Sequence, residues 1–222
     1  MNTAPLPSWL PFCDLPRAHG GPVVHGRLRE CPQDFLVEEI TGFEPDGEGE
    51  HALLWVRKTG ANTEWVARQL ASYAGLPALA VGYAGLKDRN AVTSQWFSVH
   101  LGPRGEPDWT ALQADGIEIL EVHRHRRKLR RGALRANRFR ILVRGVENGG
   151  LLLEERLAIV RELGVPNYFG SQRFGRAEGN LHAAHALFSG QGRRVGRHLR
   201  GLWLSAARSQ LFNEVLATRV KR

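Results

Sequence analysis

Apolar and polar positions fall into short runs over the first two thirds of the chain and take up helical spacing mainly in the last third. Val23 to Leu28 and Phe35 to Ile40 are short β-favouring runs, and Ala52 to Val56 is a continuous apolar stretch that predicts a buried strand. The period then changes. Trp65, Val66, Leu70, Tyr73 and Ala74 share one helical face, Asn62 stands at the N-cap position, and Gly75 and Pro77 close the element. From Val81 to Val99 the chain begins and ends as β-favouring sequence, which predicts strand, loop, strand, the second strand running through Trp96, Phe97 and Val99. Residues 102–108 are turn-rich. Ile117, Ile119 and Val122 predict another strand, and Ile141 to Val143 one more. Leu151 to Leu163 predicts an amphipathic helix closed by Gly164 and Pro166. Leu181 to Phe188 predicts a short helix, and a further one opens near Leu202 and continues through Leu211, Phe212, Val215 and Leu216. Residues 1–22, rich in Pro and Gly, read as a lead-in with a short ordered stretch around Trp9 and Phe12. Short strands with a few helices predict an α+β fold, with a domain boundary after residue 163.

Composition narrows the class. A chain of 222 residues has room for one large domain or two small ones, and 42% hydrophobic residues imply a packed core. No apolar run approaches the roughly 20 residues that span a bilayer, and Met1 to Leu15 lacks the basic head and apolar core of a signal peptide. Cys13 and Cys31 are too few for a disulfide framework or a zinc ligand set, so reduced thiols in a cytoplasmic protein are expected.

Charge changes the picture more. The net charge is +9, which points to a polyanionic partner such as nucleic acid. Eight acidic and no Lys or Arg residues lie between Arg29 and Arg57, whereas ten Lys or Arg and no acidic residues lie between Glu121 and Glu147. Such segregation favours an oriented electrostatic face. Within the basic stretch, Arg124, Arg126, Arg127, Lys128, Arg130 and Arg131 are too densely charged for a core and are read as contacts to RNA phosphates, with a solvated face as the alternative. His123 and His125 are read without a Cys or acid that completes a metal site, so no metal is expected. Residues 42–50, acidic and glycine-rich, match no calcium-loop spacing and read as a solvated connection. Arg193, Arg194, Arg197 and Arg200 form a second basic cluster.

The most informative stretch is Gly85-Leu86-Lys87-Asp88-Arg89, between the two strands of residues 81–99. Two flanking cations favour the ionised form of Asp88, and Gly82 and Gly85 are expected to lend backbone freedom before the charged tip. A carboxylate on a loop held by two strands suits a catalytic role, although a bare Lys-Asp-Arg triplet more often marks an ordinary solvated turn.

Gly85-Leu86-Lys87-Asp88-Arg89, with Ala91-Val92-Thr93 and Gln95-Trp96 behind it, resembles the signature of the TruD family, tRNA pseudouridine synthase D. The resemblance continues through Pro32-Gln33-Asp34-Phe35, through Gly42 to His51, through Gly132-Ala133-Leu134-Arg135-Ala136-Asn137-Arg138-Phe139, through Gly164 to Gly175 and through Leu202 to Ser209. It implies a mainly antiparallel pseudouridine-synthase sheet with flanking helices over residues 1–163, and the beginning of a TruD-type inserted domain over 164–222. It further implies isomerisation of uridine 13 in the D stem of tRNA, without cofactor or metal. Asp88 would be the catalytic carboxylate, attacking C1′ or removing the C2′ proton. Phe35 would stack on the target base. Asn137, Phe139, Arg29 and Lys87 would line the substrate site, Arg29 standing where the family usually has Lys. The protein is expected to be monomeric, with tRNA as its partner. The sequence runs out at Arg222 inside a helical pattern, so it reads as a partial member. An RNA-binding module without catalysis, or an inactive remnant, is the competing reading.

Overall fold

The computed structural model describes residues 11–103, 105–112, 114–147, 150–192 and 194–222. Trp9 and Arg193, both singled out by the sequence, lie outside the described residues. Contacts divide the chain into two compact units, residues 25–147 and residues 11–24 together with 150–222.

The 25–147 unit is built on a six-stranded sheet. Its strands are β2 (Phe35–Thr41), β3 (His51–Thr59), β4 (Val81–Tyr83), β5 (Val92–His100), β6 (Ile117–His125) and β7 (Leu134–Ile141), in the order β6-β3-β5-β2-β7 with β4 also on β5. A two-residue strand β1 (Arg27–Leu28) pairs with β8 (Val143–Arg144). All pairings are antiparallel except β2 with β5, which runs parallel with Val37 opposite Thr93. One edge of β5 is taken along its whole length by β3. The other edge is shared, β2 holding residues 92–94 and β4 residues 97–99. The loop over residues 84–91 therefore emerges where β2 and β4 meet.

The core explains which face is which. Leu54, Val56, Phe97 and Val99 project from one face of the sheet and pack on Val66, Ala67, Leu70 and Ala71 of helix α1 (Thr63–Tyr73). Asn62 stands at its N-cap in extended conformation, as the sequence predicts. The strand read from the sequence as residues 52–56 extends to His51–Thr59, and its polar residues His51 and Lys58 are buried as well.

Gly82 has a role different from the one expected. Its φ is not in the left-handed region; instead, a Cβ there would meet Leu129 O at 2.5 Å, Ser98 Oγ at 2.7 Å and Lys128 Cγ at 2.8 Å. The residue is glycine because the chain at 128–129 crosses directly over it. Gly82→Ala is expected to destabilise the chain by about 1–3 kcal/mol, read as a lowered urea midpoint.

The second unit contains α2 (Gly150–Leu163), α3 (Gly179–Phe188) and α4 (Arg197–Val220). Helix α2 appears where the sequence places it, yet none of its residues is buried. The Gly- and aromatic-rich loop before α3 is a packing corner. Phe174 is buried with Leu181 and Ala206, and the Asn213 amide of α4 accepts from Phe169 N (2.9 Å) and donates to Phe169 O (3.0 Å). No helix among the described residues is long and apolar enough to cross a membrane.

Candidate active site

The loop between β4 and β5 rests on the same sheet face as α1, beside the helix. Strand register puts Glu39 of β2, Gln95 of β5, Lys58 of β3 and Asn137 of β7 on that face. These polar residues stand where a sheet core would ordinarily be apolar, and Glu39, Gln95 and Lys58 bind the loop. Gln95 Nε2 donates to Gly85 O (3.1 Å), and the Lys87 backbone N–H donates to Thr63 Oγ1 (2.9 Å), whose hydroxyl donates to Gln95 Oε1 (3.0 Å). Lys87 Nζ reaches Glu39 Oε2 at 2.6 Å with both side chains buried, and the second oxygen of Glu39 accepts from Trp96 N. Lys58 Nζ donates to the Asp88 backbone carbonyl at 2.7 Å. Lys87, one of the two cations read as neighbours of Asp88, is thus committed to Glu39. Arg89, the other, donates to Gly60 O.

Asp88 itself stands at the loop tip with its side chain 28% exposed. Asn90 N donates to Oδ1 (3.2 Å), and Arg29 Nη1 lies 3.3 Å from Oδ2. Arg29 adopts a left-handed backbone (φ 59°), a conformation that non-glycine residues take up at a cost of order 1–3 kcal/mol. From there its guanidinium sits 3.9 Å over the ring of Phe35, and the Phe35 ring stacks on Phe139 with centroids 5.9 Å apart. Carboxylate, cation and two aromatic rings are contiguous. Phe35 is 6% exposed, with Arg29 on one side of its ring, whereas Phe139 is 56% exposed. A base stacking on Phe35 has first to displace the guanidinium.

Asn137 lies inside β7, opposite Glu39, rather than in a turn ahead of a strand. Its Oδ1 is shielded from solvent and has no hydrogen-bond partner among the described residues. An orphaned buried acceptor costs about 1–3 kcal/mol, and a ligand donor would relieve it. Nearby, Asp34 is fully buried under Arg144 (Nη2 to Oδ1 2.7 Å), whose hydrogen bonds hold the Asp34 carboxyl well below the usual carboxylate range. That pair fixes the turn from which Phe35 departs. No group of His, Cys, Asp and Glu among the described residues is arranged to hold a metal ion.

A family model described as tRNA pseudouridine synthase D (TruD) matches residues 18–191. The chain belongs to this family. It is 57% identical over 210 residues to the tRNA pseudouridine synthase D of Methylococcus capsulatus, covering 95% of this chain and 59% of the relative. It is 51% identical over 213 residues to that of Cellvibrio japonicus, covering 94% of the chain and 63% of the relative. The chain thus spans about 60% of the length of these relatives. A crystal structure assigned as tRNA pseudouridine synthase D (TruD) from Methanosarcina mazei superimposes with a TM-score of 0.67 at 30% identity, over 79% of this chain and 41% of that one. The α+β sheet expected from the TruD resemblance is the one observed, antiparallel apart from β2 and β5.

The basic stretch of this TruD member is less open than its sequence implies. Arg126 pairs with Glu48 and donates its backbone N–H to Asp46 Oδ2 (2.8 Å), His125 Nδ1 lies 2.8 Å from the same oxygen, and Arg124 is 3.7 Å from Glu106. The Arg126 N–H, reinforced by the charges of His125, Arg126 and Arg127, holds the Asp46 carboxyl below its usual range against the opposing effect of burial. The acidic loop is largely exposed, as the sequence predicts, and it also folds onto the start of the basic run. Lys128 donates to Leu79 O, and Arg131 lies against Tyr83, donating to its hydroxyl at 3.0 Å. The side chains of Arg127 and Arg130 are exposed and make no ion pair or hydrogen bond among the described residues. Sequence reasoning treated all six cations alike, because the acids that engage them lie far away in the chain.

Proposed function

We propose that this chain carries the catalytic carboxylate of a tRNA pseudouridine synthase, isomerising uridine 13 in the D stem, with Asp88 as the reacting group. The observation that carries the reading is the contact of Asp88 with Arg29 and of Arg29 with Phe35, which sets an anion beside an aromatic base platform. The reaction breaks C1′–N1 and forms C1′–C5, while C5 loses its proton to solvent and N1 takes one up. It has no net redox change. A carboxylate at the ribose edge serves either route, attack at C1′ or removal of the C2′ proton, and Asp is an anion at neutral pH. The target base leaves the RNA stack, as bases modified within a duplex do. It displaces Arg29, stacks on Phe35 against Phe139, and offers N3–H to the unpartnered Asn137 Oδ1. Lys87 supports the loop through Glu39 rather than touching RNA. The protein is proposed to act as a cytoplasmic monomer, with residues 1–163 in the catalytic domain and 164–222 beginning the inserted domain.

The test is tritium release from tRNA labelled at uridine C5, together with nucleotide-by-nucleotide pseudouridine mapping. Label released in step with pseudouridine at position 13 is expected. A chain that binds tRNA and releases none is a binding module, and the reading fails.

Phosphate contact is proposed to fall mainly on Arg127 and Arg130, because theirs alone of the six side chains make no ion pair or hydrogen bond among the described residues. Each replacement by Ala is expected to weaken tRNA binding and to lower the salt slope by about 1. Arg126→Ala, which also releases Glu48, is expected to change the slope less. Titrations at four salt concentrations decide the order.

A further inference from the structure

We propose that Lys58 is a positioning residue for Asp88, fixing the loop through the Asp88 backbone carbonyl and leaving the carboxylate free. The inference rests on the reading of Asp88 as the reacting group and adds a residue that no loop motif contains.

Lys58 is fully buried, which is rare for a lysine unless it is paired. Here no carboxylate lies within ion-pair distance of its ammonium among the described residues, and its hydrogen bond goes to a neutral acceptor, Asp88 O at 2.7 Å. Burial pushes its pKa down to about 8, the charge of Asp88 opposing the shift and that of Lys87 adding to it, so the ammonium persists at neutral pH. An apolar side chain in β3 would fill the same space without desolvating a charge. What it would not do is hold Asp88.

The other contacts divide the work differently. Thr63 and Gln95 tie down Gly85 and Lys87, Glu39 holds the Lys87 side chain, and Arg29 and Asn90 N meet the carboxylate itself. Among the described residues, Lys58 alone hydrogen-bonds the backbone of Asp88. A carboxylate that must meet a ribose carbon tolerates little displacement, since an error of 1 Å costs roughly 100-fold in rate.

The experiment compares Lys58→Met and Lys58→Gln with the unmutated chain. Hydrogen exchange at the Lys87 and Asn90 amides reads the loop, and tritium release from C5-labelled tRNA reads turnover. The expected result is at least tenfold faster exchange at both amides in folded variants. A roughly 100-fold fall in kcat should accompany it, with KM changed less than about twofold. Unchanged exchange, or kcat within about twofold of the parent, overturns the proposal. If neither variant unfolds cooperatively, the unmutated chain still decides. A Lys58 ammonium coupled by NMR to the Asp88 carbonyl carbon supports the proposal, and its absence overturns it. A parent chain that releases no tritium removes the functional reading, while the exchange data still settle whether Lys58 holds the loop.

Discussion

Asp88→Asn is expected to lower pseudouridine formation by at least about 1,000-fold while leaving tRNA affinity within about threefold. The amide oxygen can still accept from Asn90 N, and the carboxylate's pairing with Arg29 is a partly exposed ion pair at 3.3 Å, worth about 0–1 kcal/mol. The variant should therefore fold like the parent, and its unfolding midpoint is the control. What is lost is the anion at the ribose edge. Tritium release and filter binding on the same preparations separate the two effects. Turnover within tenfold of the parent would sink the assignment of Asp88, because among the described residues no other carboxylate pairs with Arg29, the cation over Phe35.

Glu39→Ala is expected to be the most damaging substitution for stability, costing about 3–5 kcal/mol. It strands the Lys87 ammonium in a buried site and removes the acceptor of the Trp96 N–H. Because β2 and β5 meet along this line, loss of Glu39 also loosens the pairing that places Phe35 near the loop. Replacing Glu39 and Lys87 together by Met should restore part of the loss, since the larger penalty comes from leaving one charge unpaired. Urea unfolding of the two single variants and the pair gives the coupling directly. Additive losses would show that the pair is not coupled.

The two variants probe different layers of one arrangement. Asp88, the proposed reacting group, is partly exposed and contributes little to folding. Glu39, Lys87, Thr63, Gln95 and Lys58 are interior polar groups spent on the loop. A sheet face that carries this many satisfied polar side chains beside an apolar helix contact, with Leu54, Val56 and Phe97 only a few positions away along the same strands, has been shaped around that loop.

Much of this was legible in the chain. The spacing of Trp65, Val66 and Leu70 dictates a helix whatever surrounds it, and α1 follows it. The apolar flanks of residues 81–99 dictate two strands around a charged tip, and β4 and β5 are those strands. Local periodicity encodes such elements because each residue's face depends only on its neighbours. The motif around Asp88 carried the family.

Other features came only from tertiary structure. Lys58 lies beyond the apolar stretch of residues 52–56 and is nevertheless interior, where a loop carbonyl thirty positions away receives it. The basic run reads as uniformly open, yet acids from residues 46, 48 and 106 fold onto part of it. Asn137 stands opposite Glu39, a neighbour set by the pairing of β7 with β2. The sequence by itself determined the local elements, the charged loop and its kinship. Which charges are free, which are neutralised, and which ring lies beside the carboxylate were decided by the parallel join of β2 to β5 and the other long-range pairings, since a polar group's environment is set by partners that no local window contains.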